Sequence, residues 1–393
     1  MLQTGAVALG GAGTGWSAAA LGLSDRRATP SEQAGATSAP PTLSRTVAFH
    51  GPHQAGIATP PQAYVAVLGM DLLESGRDAL GRLMRLLSDD IARLSRGLPA
   101  LADTEAELAV APASLTATFG FGPRLMELLA PGTLAPLPAF STDRLDEAWG
   151  QTDVAVQICA DDPITLAHAR RMLLKDSVGL ARLVWVQEGF RRAAGTEPDG
   201  TTMRNLMGQV DGTVNPAEAD STFGGLVWSD SEPMRGGSFM ILRRIRMLLE
   251  TWDAVDRSGR EAVVGRRLDT GAPLTGTREH DVPDLEATND FGLPVIDPAS
   301  HMARARSDDP QQQFLRRGYN YVVPDPSRPT GEDSGLLFVA FAADIDKQFV
   351  PVQERLAELD RLNEWVTTIG SAVYAVPPGA ADGEYVGQGL VES

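Results

Sequence analysis

The sequence predicts an α+β protein made of two similar sandwich halves, the second opened by a long insertion. Three observations carry that expectation. Apolar periodicity switches repeatedly between strand and helix spacing, the strand-then-helix order recurs late in the chain, and a polar stretch rich in Pro, Gly and Asp interrupts the recurrence. A chain of 393 residues with 43% apolar residues has room for two domains of ordinary size, each with its own core.

The elements follow in chain order. Residues 1–23, MLQTGAVALGGAGTGWSAAALGL, are weakly apolar and resemble the middle of an export signal, but the first basic residues, Arg26 and Arg27, lie after them. Either a signal lacking its charged beginning or a disordered Ala/Gly-rich leader fits this composition. Residues 24–43 are rich in Ala, Pro, Ser, Thr and Gly and read as linker, so the leader covers about 1–45. QAYVAVLGMDL (62–72) reads as a strand, and 76–98 carries apolar residues at helical spacing. SLTATFGFG (114–122) is a strand, RLMELL (124–129) a short helix and DVAVQICA (153–160) a strand. DPITLAHARRMLL (162–174) is a helix and ARLVWVQEGF (181–190) a strand. This order matches a ferredoxin-like sandwich over about 46–200.

The second half, about 201–393, reuses the plan. GGSFMILRRIRMLLETWD (236–253) is a strand entering a helix, GLLFVAFAADIDKQFVPVQERLAELD (335–360) is another such pair, and AVYAVPP (372–378) closes the set. The insertion spans about 266–313. A connection of that length within a compact domain is usually functional.

Composition removes several functions. A net charge of −17 opposes binding to nucleic acid or to anionic membrane surfaces, and no stretch is long and apolar enough to span a bilayer. The single cysteine, Cys159, excludes an internal disulfide, a Cys-rich zinc site, an iron–sulfur cluster and covalent haem attachment through C-x-x-C-H. Any metal or cofactor must be held by histidine, carboxylate or shape, and the histidines are His50, His53, His168, His280 and His301.

Two segments are candidates for chemistry. In GQVDGTVNP (208–216), Asp211 stands beside Gly212 with Gly208 upstream. Asp-Gly is a common turn dipeptide, while glycine also lets backbone approach a large flat ligand, so turn and acid-base group both fit. In PASHMARARSDDPQQQFLRRGYNY (298–321), His301 precedes Arg316 and Arg317 by fifteen residues and more. A neutral imidazole there suits metal ligation, and an exposed loop histidine fits equally. DGTVNPAEAD (211–220) lacks the ligand spacing of an EF-hand loop, which disfavours a calcium module.

Taken together, HQAGIATPPQAY (53–64), TFGFGP (118–123), LPAFSTDRLDEAWGQTDVAVQICADDP (137–163), NLMGQVDGTVNP (205–216), GGSFMILRRIRM (236–247), TGAPLTG (270–276), RRGYNY (316–321), GLLFVAFAADIDKQFVPVQ (335–353) and GSAVYAVPPG (370–379) resemble the dye-decolourising peroxidases, closest in wording to their exported, twin-arginine subgroup. The resemblance implies two ferredoxin-like halves of the dimeric α+β barrel type, with non-covalent haem b in the C-terminal half. It implies reduction of hydrogen peroxide coupled to oxidation of dyes or phenols, and leaves homo-oligomerisation open. It makes Asp211 the acid-base group above the haem, Arg316 its cationic neighbour, and His301 the axial ligand of the iron. Gly212, Thr213 and Val214 become the backbone passing the porphyrin. Arg317 is the stand-in if the register slips by one. Relatives often carry arginine two residues after the ligand, where Ala303 stands, which leaves contacts from Arg304 and Arg306 open. Asp344 is a candidate partner for His301 and equally a helix N-cap. Trp228, Trp252, Tyr319, Tyr321 and Tyr385 are candidates to pass electrons to the surface, with packing as the alternative. His168 reads as the outside of a helix, His50 and His280 as loop residues. The competing function within the resemblance is haem handling: a carrier, or a deferrochelatase that frees iron and spares the porphyrin. Export to the periplasm or outside the cell is what the resemblance implies, although the arginine pair is absent, and a cytoplasmic location is the alternative.

Overall fold

The computed structural model describes residues 42–393. The expected leader at 1–45 falls largely outside the described residues. Eighteen named elements follow. The first half runs β1 (Tyr64–Leu72), α1 (Arg77–Leu94), β2 (Thr116–Phe121), α2 (Pro123–Leu129), β3 (Val154–Ala160), α3 (Pro163–Asp176) and β4 (Ala181–Phe190). Then come α4 (Phe223–Val227), β5 (Ser238–Met247), α5 (Leu249–Asp253), α6 (Arg257–Val264) and α7 (His301–Ala305). The chain ends with β6 (Leu315–Arg316), β7 (Tyr319–Pro324), β8 (Glu332–Ala342), α8 (Ile345–Leu359), β9 (Val366–Val376) and α9 (Gln388–Val391).

The two halves are antiparallel sheets of matching order. The first is β2-β3-β1-β4, and the second is β9-β5-β8-β7. In each, the first and third strands of the half lie side by side at the centre, which is the ferredoxin-like arrangement. One residue pair joins the sheets at each seam, Phe121 with Ala375 and Phe190 with Asn320, so the strands close into a barrel. Closure removes the sheet edges that would otherwise invite aggregation.

Both faces of the strands are covered, which explains why β1 and β3 read as apolar runs without clean alternation. Ala66, Leu68 and Met70 of β1 pack under α1 and α3, while Val65 and Val67 point into the barrel with Trp185, Tyr319 and Tyr374. Gly69 is required by this packing: a Cβ there would fall 2.2 Å from the Trp185 ring. The barrel interior also holds cations. Arg244 lies 4.0 Å from the Trp149 ring centroid and 4.4 Å from that of Tyr321, and pairs with the buried Asp333.

One sequence expectation is corrected here. His168 does not face outward from α3. It is 4% exposed and its Nε2 lies 2.9 Å from Asp103 Oδ2, so the buried face of the helix is wider than its apolar residues alone indicate.

Helices α1 and α3 meet across two carboxyls. Asp90 is buried and accepts the Leu101 amide at 2.9 Å, and Asp176 stands against it. Burial first, then the adjacent Asp90, pushes the Asp176 carboxyl up to about 8, with Lys175 opposing. The folded state therefore holds a proton that the unfolded chain releases. The stabilisation is full below the unfolded value of 3.8 and is lost as pH rises through about 8. An Asp176→Asn variant is expected to melt about 2 °C above the parent at pH 8.5, with the gap closing toward pH 5. Melting curves across that range check it; a gap independent of pH would disprove the shared proton.

Candidate functional site

The insertion between α6 and β6 delivers His301. Gly265, at φ +84°, ends α6 in the left-handed conformation and turns the chain into the insertion. The insertion is not structureless: isolated bridges join Arg266 with Pro273 and Thr288 with Pro294, and α7 begins at His301 itself. Its tail is stapled to the far end of α8, where the Arg361 amide donates to Ala299 O at 2.9 Å and Arg361 Nε to Asp297 Oδ2 at 2.5 Å.

That staple places Asp360 under the imidazole. Asp360 Oδ2 lies 2.6 Å from His301 Nδ1, and its side chain is 3% exposed. Its Oδ1 accepts the Leu362 amide at 2.9 Å. A carboxylate only accepts, so the proton sits on Nδ1 and Nε2 keeps its lone pair. Burial alone pushes the imidazole down. The charge and hydrogen bond of Asp360 outweigh it, Asp211 adds and Arg316 subtracts, and the net direction is up. The ring is deep enough for burial to be the largest single influence, yet its side chain remains 37% accessible. The ring edge that does not face Asp360 is therefore open to a ligand.

Asp344, the sequence candidate for this partner, is elsewhere. It caps α8, accepting the Lys347 amide at 3.1 Å and the Lys347 ammonium at 2.7 Å. The partner of His301 sits at the other end of the same helix, and no local motif announces it.

The 208–216 loop brings Asp211 within electrostatic reach of that ring. A bridge between Arg204 and Val210 starts it, and the Asp211 amide donates to Met203 O at 2.8 Å. Asn205 organises the turn: its Oδ1 accepts the Met207 and Gln209 amides, and its Nδ2 donates to Asp211 Oδ2 at 3.3 Å. Gly212 sits at φ +125°, a conformation that L side chains rarely adopt, while a Cβ there would meet only Thr202 at 3.4 Å. The glycine is required by backbone conformation. Thr213 Oγ1 and Thr202 Oγ1 both donate to Glu279 of the insertion, at 2.9 and 2.6 Å. Val214 is 55% exposed.

Arg316 Nη1 donates to Asp211 Oδ1 at 3.5 Å, with the two side chains 28% and 24% exposed. Arg317 turns the other way. It is 1% exposed, donates to Thr59 O and Gln62 Oε1, and lies with Tyr319 and Cys159 inside the barrel. The strand alternation decides the register in favour of Arg316. Arg304 is engaged by Glu358 and by Arg355 O. Arg306 is exposed and lies within electrostatic reach of Arg266, which is held by Gly271 O at 2.7 Å and Glu279 O at 2.9 Å.

Among the aromatic candidates, Trp252, Tyr319, Tyr321 and Tyr385 are buried, and Trp228 is half-buried. Trp228 stacks on His53 at 3.8 Å with 4° between the planes, while His53 Nδ1 lies 2.7 Å from Gly236 O. His53 thus acquires a packing role that the sequence did not reveal. The structure therefore gathers His301, Asp211 and Arg316 into mutual electrostatic contact and adds Asp360, Asn205, Asn215, Arg266 and Glu279.

Comparison with known proteins supplies the family. The description "Dyp-type peroxidase, N-terminal" matches residues 54–191, and "Dyp-type peroxidase, C-terminal" matches 202–381. A dye-decolorizing peroxidase of Thermobifida fusca (strain YX) is 38% identical, covering 99% of this chain and 95% of the relative. A deferrochelatase of Escherichia coli (strain K12) is 34% identical, covering 93% and 92%. The crystal structure of a DyP-type peroxidase from Cellulomonas bogoriensis is 53% identical with a TM-score of 0.86, covering 90% of this chain and 100% of that one. Ferric DtpA from Streptomyces lividans is 39% identical with a TM-score of 0.85, covering 91% and 100%. The two matched regions follow one another along the chain, the second containing both the Asp211 loop and the His301 insertion, and the chain belongs to the Dyp-type peroxidase family.

Proposed function

We propose that this peroxidase holds b-type haem, without covalent bonds, between His301 on one side and the Asp211–Arg316 pair on the other. In this reading hydrogen peroxide is reduced there, and dyes or phenolic molecules are oxidised. One observation carries the proposal: an imidazole with a free Nε2, backed by a buried carboxylate, lies within electrostatic reach of a carboxylate–guanidinium pair. The donor set fits the group, since one neutral imidazole with a carboxylate behind it is a usual iron ligand. Arg266 and Arg306 repel one another, and acidic groups of a porphyrin placed between them would relieve that repulsion. The ferric state of the Streptomyces lividans relative supports an iron cofactor.

When bound, the haem iron supplies the electrons that reduce peroxide. The chain supplies proton handling. Asp211 Oδ1 or Oδ2 accepts the proton from one peroxide oxygen and returns it to the departing one, as a general base and then acid. The guanidinium of Arg316 stabilises negative charge on the departing oxygen. Asn205 holds the other carboxylate oxygen, so the side chain cannot swing away from Arg316. Asp360 fixes the tautomer of His301 and makes Nε2 a stronger electron donor.

The deferrochelatase relatives favour a second reading, release of iron from haem at the same site. Incubation with haem and analysis of the porphyrin separates the two: metal-free porphyrin supports release, oxidised dye with intact haem supports peroxidation. We also place the division of the chain near residue 200, with 46–200 as scaffold and 201–393 as the haem-holding half. Export by the twin-arginine route and self-association complete the proposal; the wording of the blocks supports the former. No described helix is long and apolar enough to cross a membrane.

Asp211→Asn is expected to slow the reaction of the haem-loaded protein with peroxide by about a hundred- to ten-thousandfold while haem stays bound. Stopped-flow absorption in the Soret region reads this, and a parent-like rate would remove Asp211 from the mechanism. Asp360→Asn is expected to lower the titration midpoint of His301 in the haem-free protein, followed by NMR. It should also weaken haem retention by about ten- to a hundredfold. An unchanged midpoint would contradict the role given to Asp360.

A further inference from the structure

The pair assigned to proton handling is joined by a single hydrogen bond of 3.5 Å, at the long end of the range, between side chains that remain partly exposed. Contacts of that kind contribute little and do not hold two segments in register. Asp211 and Arg316 are nevertheless 105 residues apart in the chain. Some other contact must fix the loop against the strand.

Strand β6 is only two residues long and pairs with β8 on one side, Leu315 with Phe341 and Arg316 with Ala340. In an antiparallel ladder, successive residues send their backbone groups to opposite sides. The Arg317 amide donates to Val339 O at 2.7 Å, so the amide and carbonyl of Arg316 face outward. Among the described residues no strand meets them. β4 touches the neighbouring β7 only at Phe190 and Asn320, and Arg191 beyond it reaches Gly318 O through its side chain. The vacancy is filled by the amide of Asn215. Its Oδ1 accepts the Arg316 amide at 2.7 Å, and its Nδ2 donates to Arg316 O at 2.9 Å. An asparagine amide presents one acceptor and one donor side by side, and here it substitutes for a peptide unit of the missing strand.

We infer that Asn215 is the positioning residue that sets Arg316 against Asp211. It lies four residues beyond Asp211 on the same loop, so two short hydrogen bonds to the backbone of Arg316 carry the alignment that the long side-chain contact reports. This rests on the peroxidase reading of the pair. The role is specific to the peroxide step: Asn215 touches no reacting atom, and it acts only through where it holds Arg316.

The test uses the full chain and three variants, Asn215→Ala, Asn215→Asp and Asp211→Asn, each loaded with haem and also prepared haem-free. Asn215→Ala removes both bonds at an edge where water can replace them. Hydrogen exchange in the haem-free protein is expected to quicken at the Arg316 amide, and the rate with hydrogen peroxide to fall by about a hundredfold, the cost of a misplacement on the order of 1 Å. The later oxidation of dye, timed separately, is expected to stay at the parent rate. Asn215→Asp keeps the acceptor but loses the donor and sets a second carboxylate near Arg316. It is expected to be as slow, and it carries the comparison should the alanine variant not fold. A peroxide rate in the alanine variant equal to the parent's, with exchange quickened and Asp211→Asn slow, would overturn the inference and leave the reading of the pair intact. A parent-like rate in Asp211→Asn would overturn both.

Discussion

The site depends on one buried carboxylate at the end of a helix. Asp360 closes α8, caps the turn that follows it, and receives the imidazole of a residue 59 positions earlier. That contact, together with the Arg361 bonds to Ala299 O and Asp297, brings the end of the long insertion back to the end of α8. With it, the ring is fixed in tautomer and direction, and everything facing Nε2 is arranged around a known vector. Removing one partner of such a buried pair costs more than the pair itself contributes, because the remaining group is left without a partner.

The fold sets the stage by placing two different kinds of control around the site. One wall is made by the insertion and α8. The other is made by the 208–216 loop and the short strand β6. Each is held by side chain to backbone bonds instead of by a continuous ladder: Asn215 to Arg316, Arg204 to Leu268 O and Asp269 O, and Arg266 to Gly271 O and Glu279 O. Irregular backbone of this sort is suited to a site that must accept a large flat group, since regular strands would fill the space with their own neighbours. The barrel behind it is closed and densely packed, so the irregular segments rest on a rigid support.

Much of this was legible in the sequence, and the failures have physical causes. The long helices were read correctly because each has an apolar face at helical period, and the long strands because they are apolar or alternating runs of strand length; the repetition of β5, β8 and β9 after the first half revealed the pseudo-symmetry. β6 has no period of its own because it is two residues long, and Arg317 and Gly318 separate it from β7. His168 was misplaced because a histidine paired with a buried carboxylate looks polar in sequence but is satisfied inside. The choice between Asp344 and Asp360 is the sharpest case. Both bound the same helix of 15 residues, and at 1.5 Å per residue the two ends lie roughly 22 Å apart. Nothing in the local sequence tells which end meets a residue dozens of positions away; only the staple between 297–299 and Arg361 does.

Charge gives the last link. The chain as a whole carries −17, yet Arg191, Arg266, Arg306 and Arg316 gather around the site. Burial disfavours the charge on Arg191 and on Arg266, and Asp211 and Glu279 oppose that effect respectively. Gathering cations in this way costs desolvation and mutual repulsion, so it persists only where something anionic repays it. Among the described residues the acids near the cluster are few and already engaged: Glu279 accepts two threonine hydroxyls, and Asp211 is shared between Asn205 and Arg316. A ligand that brings its own negative groups would meet the balance, and an acidic porphyrin is such a ligand. Local charge, opposite in sign to that of the whole chain, is thus what one would expect of a site that binds an acidic cofactor.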